Sequence, residues 1–326
     1  VKAARFFRVL LLLGLAISLS HHGGAGEPLS KVYGAGSRPV AVDFLDVGQG
    51  DSVLIRSPEG KTALIDAGPT RDGAVRVLRS KGVSSLDIVI VTHHHSDHYG
   101  GMYQVVKEFR PRYFMATSSP HTTSGYLKLL EAVNVEGITA VLTTGKPRTI
   151  ELGSVTLTVL PQPPSNSVEE NNNSIGVRLQ YGDFSVLLTG DSETDERRWW
   201  ISRSPDLLRD CTILKLAHHG SHNGTDQRWL DVVQPELAVA SLGAHNDYGH
   251  PHRETLALLR NNQVPLLRTD QRGTITLMSD GRTWNLVSPG LAGKRPPGTE
   301  EAVAKTSGRR ARSSAGRSER AEAVRR

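Results

Sequence analysis

The sequence predicts an α/β fold in four layers, with sheets covered by helices, and three observations predict it. From Val40 onward, short strand-like runs are joined by turn residues. Further on, apolar strand-like runs alternate with segments of helical periodicity, the pattern of helices laid on sheets. No repeat period of the solenoid kind appears.

The predicted elements follow in order. Val40–Val47, Ser52–Arg56 and Thr62–Asp66 read as strands, with Pro58-Glu59-Gly60 as the turn between the last two. A short helix over Ala74–Lys81 leads to the apolar strand Ile88–Thr92. Helix Met102–Phe109, strand Tyr113–Thr117, helix Gly125–Val133 and strand Ile138–Thr143 come next. Strands Val155–Leu160, Ile175–Tyr181 and Phe184–Thr189 precede helix Glu193–Ser202. Strand Thr212–Ala217, helix Gln227–Val233, strand Leu237–Ser241 and helix Arg253–Asn261 follow. A hairpin of Thr274–Ser279 and Thr283–Val287 closes the predicted domain, which covers residues 40–288.

Charge is unevenly placed in the 326 residues. The net +6 and pI near 9.5 arise from +3 over residues 1–26 and +6 over 291–326, while the stretch between carries −3. The pI therefore does not describe a basic domain that grips DNA. Hydrophobic residues at 37% and charged residues at 22% fit a globular chain with a sizeable core. A single cysteine, Cys211, excludes an intramolecular disulfide and any multi-cysteine metal site. Its surroundings, Cys-Thr-Ile-Leu-Lys-Leu, read as a buried strand with an inert thiol.

Both ends read as something other than fold. Lys2, Arg5 and Arg8 precede an apolar or small stretch, Val9–Leu19, and small residues run on to Gly26. This is an export signal, either cleaved or kept as an anchor, over residues 1–26. Its apolar stretch is shorter than the roughly 20 residues a spanning helix needs. The expected location is therefore outside the cell, free or held on the membrane by the N-terminus. Residues 27–39 form a Gly/Ser/Pro linker, and 289–326 a disordered basic tail. No protein partner is inferable.

The chemistry concentrates at strand ends. Thr92-His93-His94-His95-Ser96-Asp97-His98 directly follows the apolar run Ile88–Val91, in the spacing His-x-His-x-Asp-His, and Gly100-Gly101 comes after. Imidazole and carboxylate together suit Zn, Mn or Fe. Leu187-Leu188-Thr189-Gly190-Asp191 puts a carboxylate at the end of a second strand, and Lys215-Leu216-Ala217-His218-His219 puts histidine at the end of a third. Ligands from three strand ends suit a two-metal site, with Asp191 able to bridge ions about 3.5–4 Å apart.

These residues resemble the metallo-β-lactamase superfamily, and more closely the hydrolase-like domain of the ComEC competence-protein family. The resemblance adds Asp46-Val47-Gly48-Gln49-Gly50-Asp51-Ser52, Leu64-Ile65-Asp66-Ala67-Gly68, Asn171-Asn172-Asn173-Ser174, His218-His219-Gly220-Ser221 and Tyr248-Gly249-His250-Pro251. It implies a four-layer αββα sandwich holding one or two divalent ions, Zn or Mn. It assigns His93 and His95 to one ion, and Asp97, His98, Asp191 and His218 to the other, with His219 as the alternative to His218. Asp66 matches a buried carboxylate that orients ligand loops. His250 is either a contact to the scissile group, an acid or a ligand. Asp46, Gln49 and Asp51 fall at the mouth, although Gln49 and Asp51 read equally as turn residues. One departure is clear: Asn stands near 171–173 where most two-metal members carry a third histidine, so the first site is held more loosely. The membrane channel of ComEC proteins lies outside the resemblance.

The implied activity is an exported metal-dependent hydrolase, a phosphodiesterase or nuclease using a metal-activated hydroxide on nucleic acid. Asp97 would orient the hydroxide and take up its proton. Lys215, His250 or an Asn of the 171–173 turn, Asn173 among them, would stabilise charge on the phosphate, and His219 and Asn173 would contact substrate. Two other classes stay open: a hydrolase of lactones, β-lactams or thioesters, since fold does not fix substrate, and a non-catalytic metal-bound module that binds nucleic acid through its tail.

Overall fold

A strand sends successive side chains to opposite faces, and most strands of this chain are apolar on both. Burial gains roughly 1.5–3 kcal/mol for each large aliphatic side chain. A strand covered on both sides collects that gain at every position, which is why Ile88–Val91 reads Ile-Val-Ile-Val and is wholly buried. The computed structural model describes residues 38–164 and 167–287, and a two-residue strand β1 (Ile17–Ser18). Apart from β1 and residues 38–39, the expected export segment, linker and basic tail lie outside the described residues.

Two eight-stranded sheets form the middle layers. The first contains β2 (Val40–Phe44), β3 (Val53–Arg56), β4 (Thr62–Ile65), β5 (Ile88–Val91), β6 (Tyr113–Ala116), β7 (Thr139–Leu142), β15 (Ile275–Ser279) and β16 (Trp284–Leu286). Its order is β16-β15-β2-β3-β4-β5-β6-β7, antiparallel as far as β4 and parallel from β4 to β7. The second contains β1, β8 (Arg148–Leu152), β9 (Val155–Val159), β10 (Val177–Tyr181), β11 (Phe184–Leu188), β12 (Ile213–Lys215), β13 (Leu237–Ala240) and β14 (Leu266–Arg268), in chain order. It is antiparallel from β8 to β11 and parallel from β11 to β14.

The register sorts the apolar residues into three cores. Phe44, Ile55 and Ile90 of the first sheet meet Val177, Val186 and Val239 of the second between the sheets. Leu64, Val89 and Val91 face the other way, under α1 (Gly73–Ser80), α3 (Met102–Phe109) and α4 (Ser124–Val135). Leu187, Leu214 and Ala238 lie under α5 (Thr194–Arg203), α6 (Gln227–Val233) and α7 (Arg253–Asn261). The result is helices, sheet, sheet, helices: the αββα sandwich. Two short helices complete the set, α2 (Ser96–Tyr99) and α8 (Thr269–Arg272).

Within residues 40–288, two strands escaped the sequence reading. β8 is Arg-Thr-Ile-Glu-Leu, where only Ile150 and Leu152 are buried, so its polar positions disguise the alternation. β14 is a half-buried strand at the sheet edge, too short to show a period. Cys211 sits in the outer core at 1% exposure, donating to the Ile213 carbonyl at 3.2 Å, and burial pushes its thiol up to about 11. A thiolate is the reactive form, so a disulfide thiol reagent at pH 8 should leave the folded chain unlabelled and modify it fully in denaturant. No described helix is long and apolar enough to cross a membrane.

Candidate metal centre

Parallel strands release their following loops at the same edge. β4 and β5 thus deliver Asp66 and the Thr92–His98 loop together, while β11, β12 and β13 deliver Asp191, the His218-His219 turn and Ser241. The two edges meet where Ile175 N, ahead of β10, donates to the Thr92 carbonyl at 2.9 Å; within the second sheet's own edge, His218 N donates to that of Gly190 at 3.2 Å. Gly190 permits this closeness. Its φ is +52°, and a Cβ there would stand 2.8 Å from Thr92 Oγ1 and 3.0 Å from Ser174 Oγ.

Asp66, 1% exposed, organises the histidines. Its carboxylate accepts from Thr92 N at 2.8 Å, Thr92 Oγ1 at 2.7 Å and His98 Nδ1 at 2.8 Å. With its proton given to Asp66, the Thr92 hydroxyl can only accept from His93 Nδ1, 3.2 Å away. One buried carboxylate therefore turns Nε2 of both His93 and His98 toward Asp191. Asp66→Asn should lower metal affinity about 10–100-fold while leaving the chain folded, read by titration of the apoprotein with Zn²⁺.

Around Asp191, itself 1% exposed, the free ring nitrogens converge. His98 Nε2 lies 3.2 Å from Oδ1; His219 Nε2, His218 Nε2 and His93 Nε2 lie 3.5, 3.9 and 4.0 Å from Oδ2. His219 donates Nδ1 to the Ser241 carbonyl at 2.9 Å, which also leaves its Nε2 toward the carboxylates, 3.1 Å from Asp97 Oδ2. Nitrogen lone pairs aimed at carboxylate oxygens repel unless positive charge sits among them. Among the described residues, buried His98 Nε2 and Asp191 Oδ1 both lack a hydrogen-bond partner, so the donor set fits a cation. Asp97, His98, Asp191 and His219 bring their ligand atoms within 4.8 Å of one another. His93 Nε2 and His95 Nδ1 face each other at 3.1 Å, the spacing of two ligands on one ion.

Electrostatics agree. Burial alone would keep His98 neutral, yet the carboxylates of Asp191, Asp66 and Asp97 hold it well above its ordinary pKa. His219 is raised against burial by Asp191 and Asp51. His93 is driven well below the ordinary value by burial and by His98. This group of carboxylates calls for positive charge, as protons on the rings or as metal ions that displace them.

Several placements differ from the sequence reading. His219, not His218, joins Asp97, His98 and Asp191. Both residues have left-handed backbone (φ 50° and 54°) in the 3₁₀ turn Ala217–Gly220, which swings His219 into the interior and leaves the His218 side chain 24% exposed. His218 Nδ1 lies 3.2 Å from Glu193 Oε1, which also accepts from Asn171 Nδ2 at 2.8 Å. Lys215, 1% exposed, is not among the residues lining the cleft and pairs with Asp51, itself buried rather than at the mouth. Asn173 is spent on structure: its side chain accepts from Ser167 N at 2.8 Å and donates to the Ser167 carbonyl at 3.0 Å. Asn172 Oδ1 accepts from Glu193 N and Glu196 N at the start of α5.

A cleft of about 330 Å³ opens over the cluster, lined by Gln49, His95, Asp97, Asp191, His218 and His250 among others. Asp46 lies outside this lining, exposed, its backbone N donating to Thr274 Oγ1. His250 is clamped by Asn246, which accepts from its N and donates to its carbonyl, both at 2.9 Å. Burial and the neighbouring His219, His218 and His252 push its ring down to about 4. Ser96 and Tyr248 also line the cleft, and the sequence reading had named neither as a site residue. Tyr248 lies in the run Tyr248-Gly249-His250-Pro251, and nothing in those residues shows its 67% exposure.

The metallo-β-lactamase superfamily model matches residues 45–245. Competence protein ComA of Neisseria gonorrhoeae is 30% identical over 238 residues, 72% of this chain and 32% of its own. ComE operon protein 3 of Bacillus subtilis (strain 168) is 29% identical over 263 residues, 75% of this chain and 34% of its own. The chain thus spans about a third of the length of these curated relatives. In structure, a mutant form of CmlA beta-hydroxylase superposes with a TM-score of 0.50 at 14% identity, covering 78% of this chain and 55% of that one, a likeness of fold. The sequence match, the αββα layers and the imidazole–carboxylate cluster agree: the chain belongs to the metallo-β-lactamase superfamily of metal-dependent hydrolases and is related to the ComEC-type competence proteins.

Proposed function

We propose that this chain is an exported phosphodiesterase that cleaves nucleic acid, with zinc or manganese held by His93, His95, Asp97, His98, Asp191 and His219. One observation carries the substrate. At the rim of the cleft, the exposed Tyr248 ring stacks on His250, with centroids 5.7 Å apart and planes at 22°, beside Asp97 and Asp191. An aromatic face next to a hydrolytic centre can seat a nucleobase while the adjoining phosphate reaches the acids, and such stacking is worth about 1–3 kcal/mol per base. Relatives named Competence protein ComA and Recombination protein 2 favour the same substrate.

Divalent ions held by these residues would supply Lewis acidity and activate water for attack. The chain's own groups do the rest. Asp97 is held well below the usual carboxylate range, since His98 and His219 outweigh its burial. It therefore orients the attacking water and is a poor store for its proton. His250, neutral at working pH, presents one ring N–H to a phosphate oxygen. Lys215 and Asn173, committed elsewhere, drop out of that role. Export rests on Lys2, Arg5 and Arg8 ahead of Val9–Leu19, and the +6 of residues 291–326 would retain a polyanion near the cell surface.

The test is cleavage of labelled single- and double-stranded DNA and RNA by the full chain with Mn²⁺ or Zn²⁺. Cleavage lost on chelation, and a raised KM in Tyr248→Ala, are expected. Uncut nucleic acid alongside turnover of nitrocefin, a lactone or a thioester would overturn the reading.

A further inference from the structure

A second group of metal-ligating side chains lies outside the cleft. His94, the residue between His93 and His95, turns the other way and is 2% exposed. Its ring stacks on that of His121 (centroids 4.8 Å apart, planes at 30°) and leans on Tyr126 at 4.3 Å. Glu170 Oε1 reaches it from a third segment: that oxygen accepts from His94 N at 3.1 Å and lies 2.9 Å from His94 Nδ1. One ligand atom from each of His94, His121 and Glu170 falls within 4.8 Å of the others.

Two features separate this group from an ordinary histidine–carboxylate contact. His94 Nδ1 is paired with Glu170 Oε1 at 2.9 Å, while His94 Nε2, though buried, is without a hydrogen-bond partner among the described residues. His121 Nε2 is likewise buried and without a hydrogen-bond partner among the described residues. Two unsatisfied imidazole nitrogens beside one carboxylate are costly unless a ligand satisfies them. Ligands of one tetrahedral ion with bonds of about 2.0–2.1 Å sit roughly 3.3 Å apart, so closing the group requires only small side-chain shifts.

We infer that His94, His121 and Glu170 form a structural binding site for a divalent cation of borderline softness, Zn²⁺ in the first instance, distinct from the ions of the cleft. Two imidazoles and a carboxylate are a donor set for such ions. The ion would tie together three segments that back the catalytic loops: the middle of the His93–His95 run, the loop between β6 and α4, and the 3₁₀ turn Glu170–Asn173. The last of these leads into Ser174, whose Oγ accepts from Asp191 N at 3.2 Å. The inference holds whatever bond the cleft hydrolyses.

The experiment counts ions. Full-length wild type, His121→Ala, Glu170→Gln, Asp191→Asn and the double variant Asp191→Asn/Glu170→Gln are stripped with chelator and titrated with Zn²⁺ alone. Stoichiometry is read by native mass spectrometry and folding by far-UV circular dichroism. His121→Ala and Glu170→Gln should each bind one ion fewer than wild type. Asp191→Asn, with the cleft impaired, should keep one tightly bound ion that the double variant loses, together with the rise in melting temperature that Zn²⁺ confers. Equal zinc content in wild type and both single variants would overturn the site, as would an Asp191→Asn chain that binds no ion. The conservative Glu170→Gln change keeps the test decisive if His121→Ala folds poorly.

Discussion

Asp191→Asn should abolish hydrolysis, lowering the rate by roughly 10³-fold or more, and should strip the cleft of tightly held metal. Its two oxygens face different rings: Oδ1 faces His98, and Oδ2 faces His219, His218 and His93. An amide keeps the shape but replaces one of those oxygens with a donor and removes the charge from both. Asp191 is held ionised, far below the usual carboxylate range, because His219 and His98 outweigh its burial. The variant thus deletes a real charge and leaves two buried rings without their counter-ion. His218→Ala provides the contrast. Its side chain is partly exposed and approaches a single oxygen, so a milder loss is expected, with most of the metal retained. Metal content by elemental analysis and single-turnover cleavage separate the two variants. An Asp191→Asn chain that keeps both full metal content and cleavage within threefold of wild type would show that the carboxylate is not the shared ligand.

Much of this arrangement was legible in the sequence, because the signals were local. Ile88–Val91 is apolar at every position, which marks a strand buried on both faces, and the His93–His98 run had to begin where that strand ended. Helices 102–109, 227–233 and 253–261 occupy the residues their periodicity predicts. What could not be read depends on partners distant in the chain. The choice between His218 and His219 is made by two left-handed residues in a four-residue turn, and nothing in Ala-His-His-Gly shows which ring faces inward. Asp51 follows a glycine turn and reads as a loop residue, but Asp51 N donates to the Asp97 carbonyl at 3.2 Å and its carboxylate meets a lysine 164 positions away. Asn173 reads as a ligand substitute until its contacts with Ser167 appear.

The buried pair of Lys215 and Asp51 leads to the largest expected effect on stability. Lys215 is 1% and Asp51 3% exposed. Lys215 Nζ also approaches the Gly190 carbonyl at 3.3 Å, so the ammonium braces the loop that carries Asp191. Removing one member of a buried pair leaves the other charge uncompensated and costs about 3–5 kcal/mol, whereas replacing both with uncharged groups of similar shape is far less costly. Lys215→Met should therefore destabilise the metal-free chain by about that amount, and Lys215→Met/Asp51→Asn by much less, measured as urea midpoints in chelator so that metal linkage does not intervene. The pH dependence has a definite sign. In the wild type, Lys215, His219 and His98 outweigh burial and hold Asp51 below its ordinary value, so its stabilising contribution is present at neutral pH and is lost as pH falls through that depressed value. Without Lys215, burial raises Asp51, and the ionised carboxylate becomes a cost that disappears once it is protonated in both states. The gap between wild type and Lys215→Met should thus be widest near neutrality and narrow on acidification through the carboxylate range. A single variant within about 1 kcal/mol of wild type at pH 7 would mean that His219, whose Nδ1 lies 3.2 Å from Asp51 Oδ1, balances the carboxylate alone.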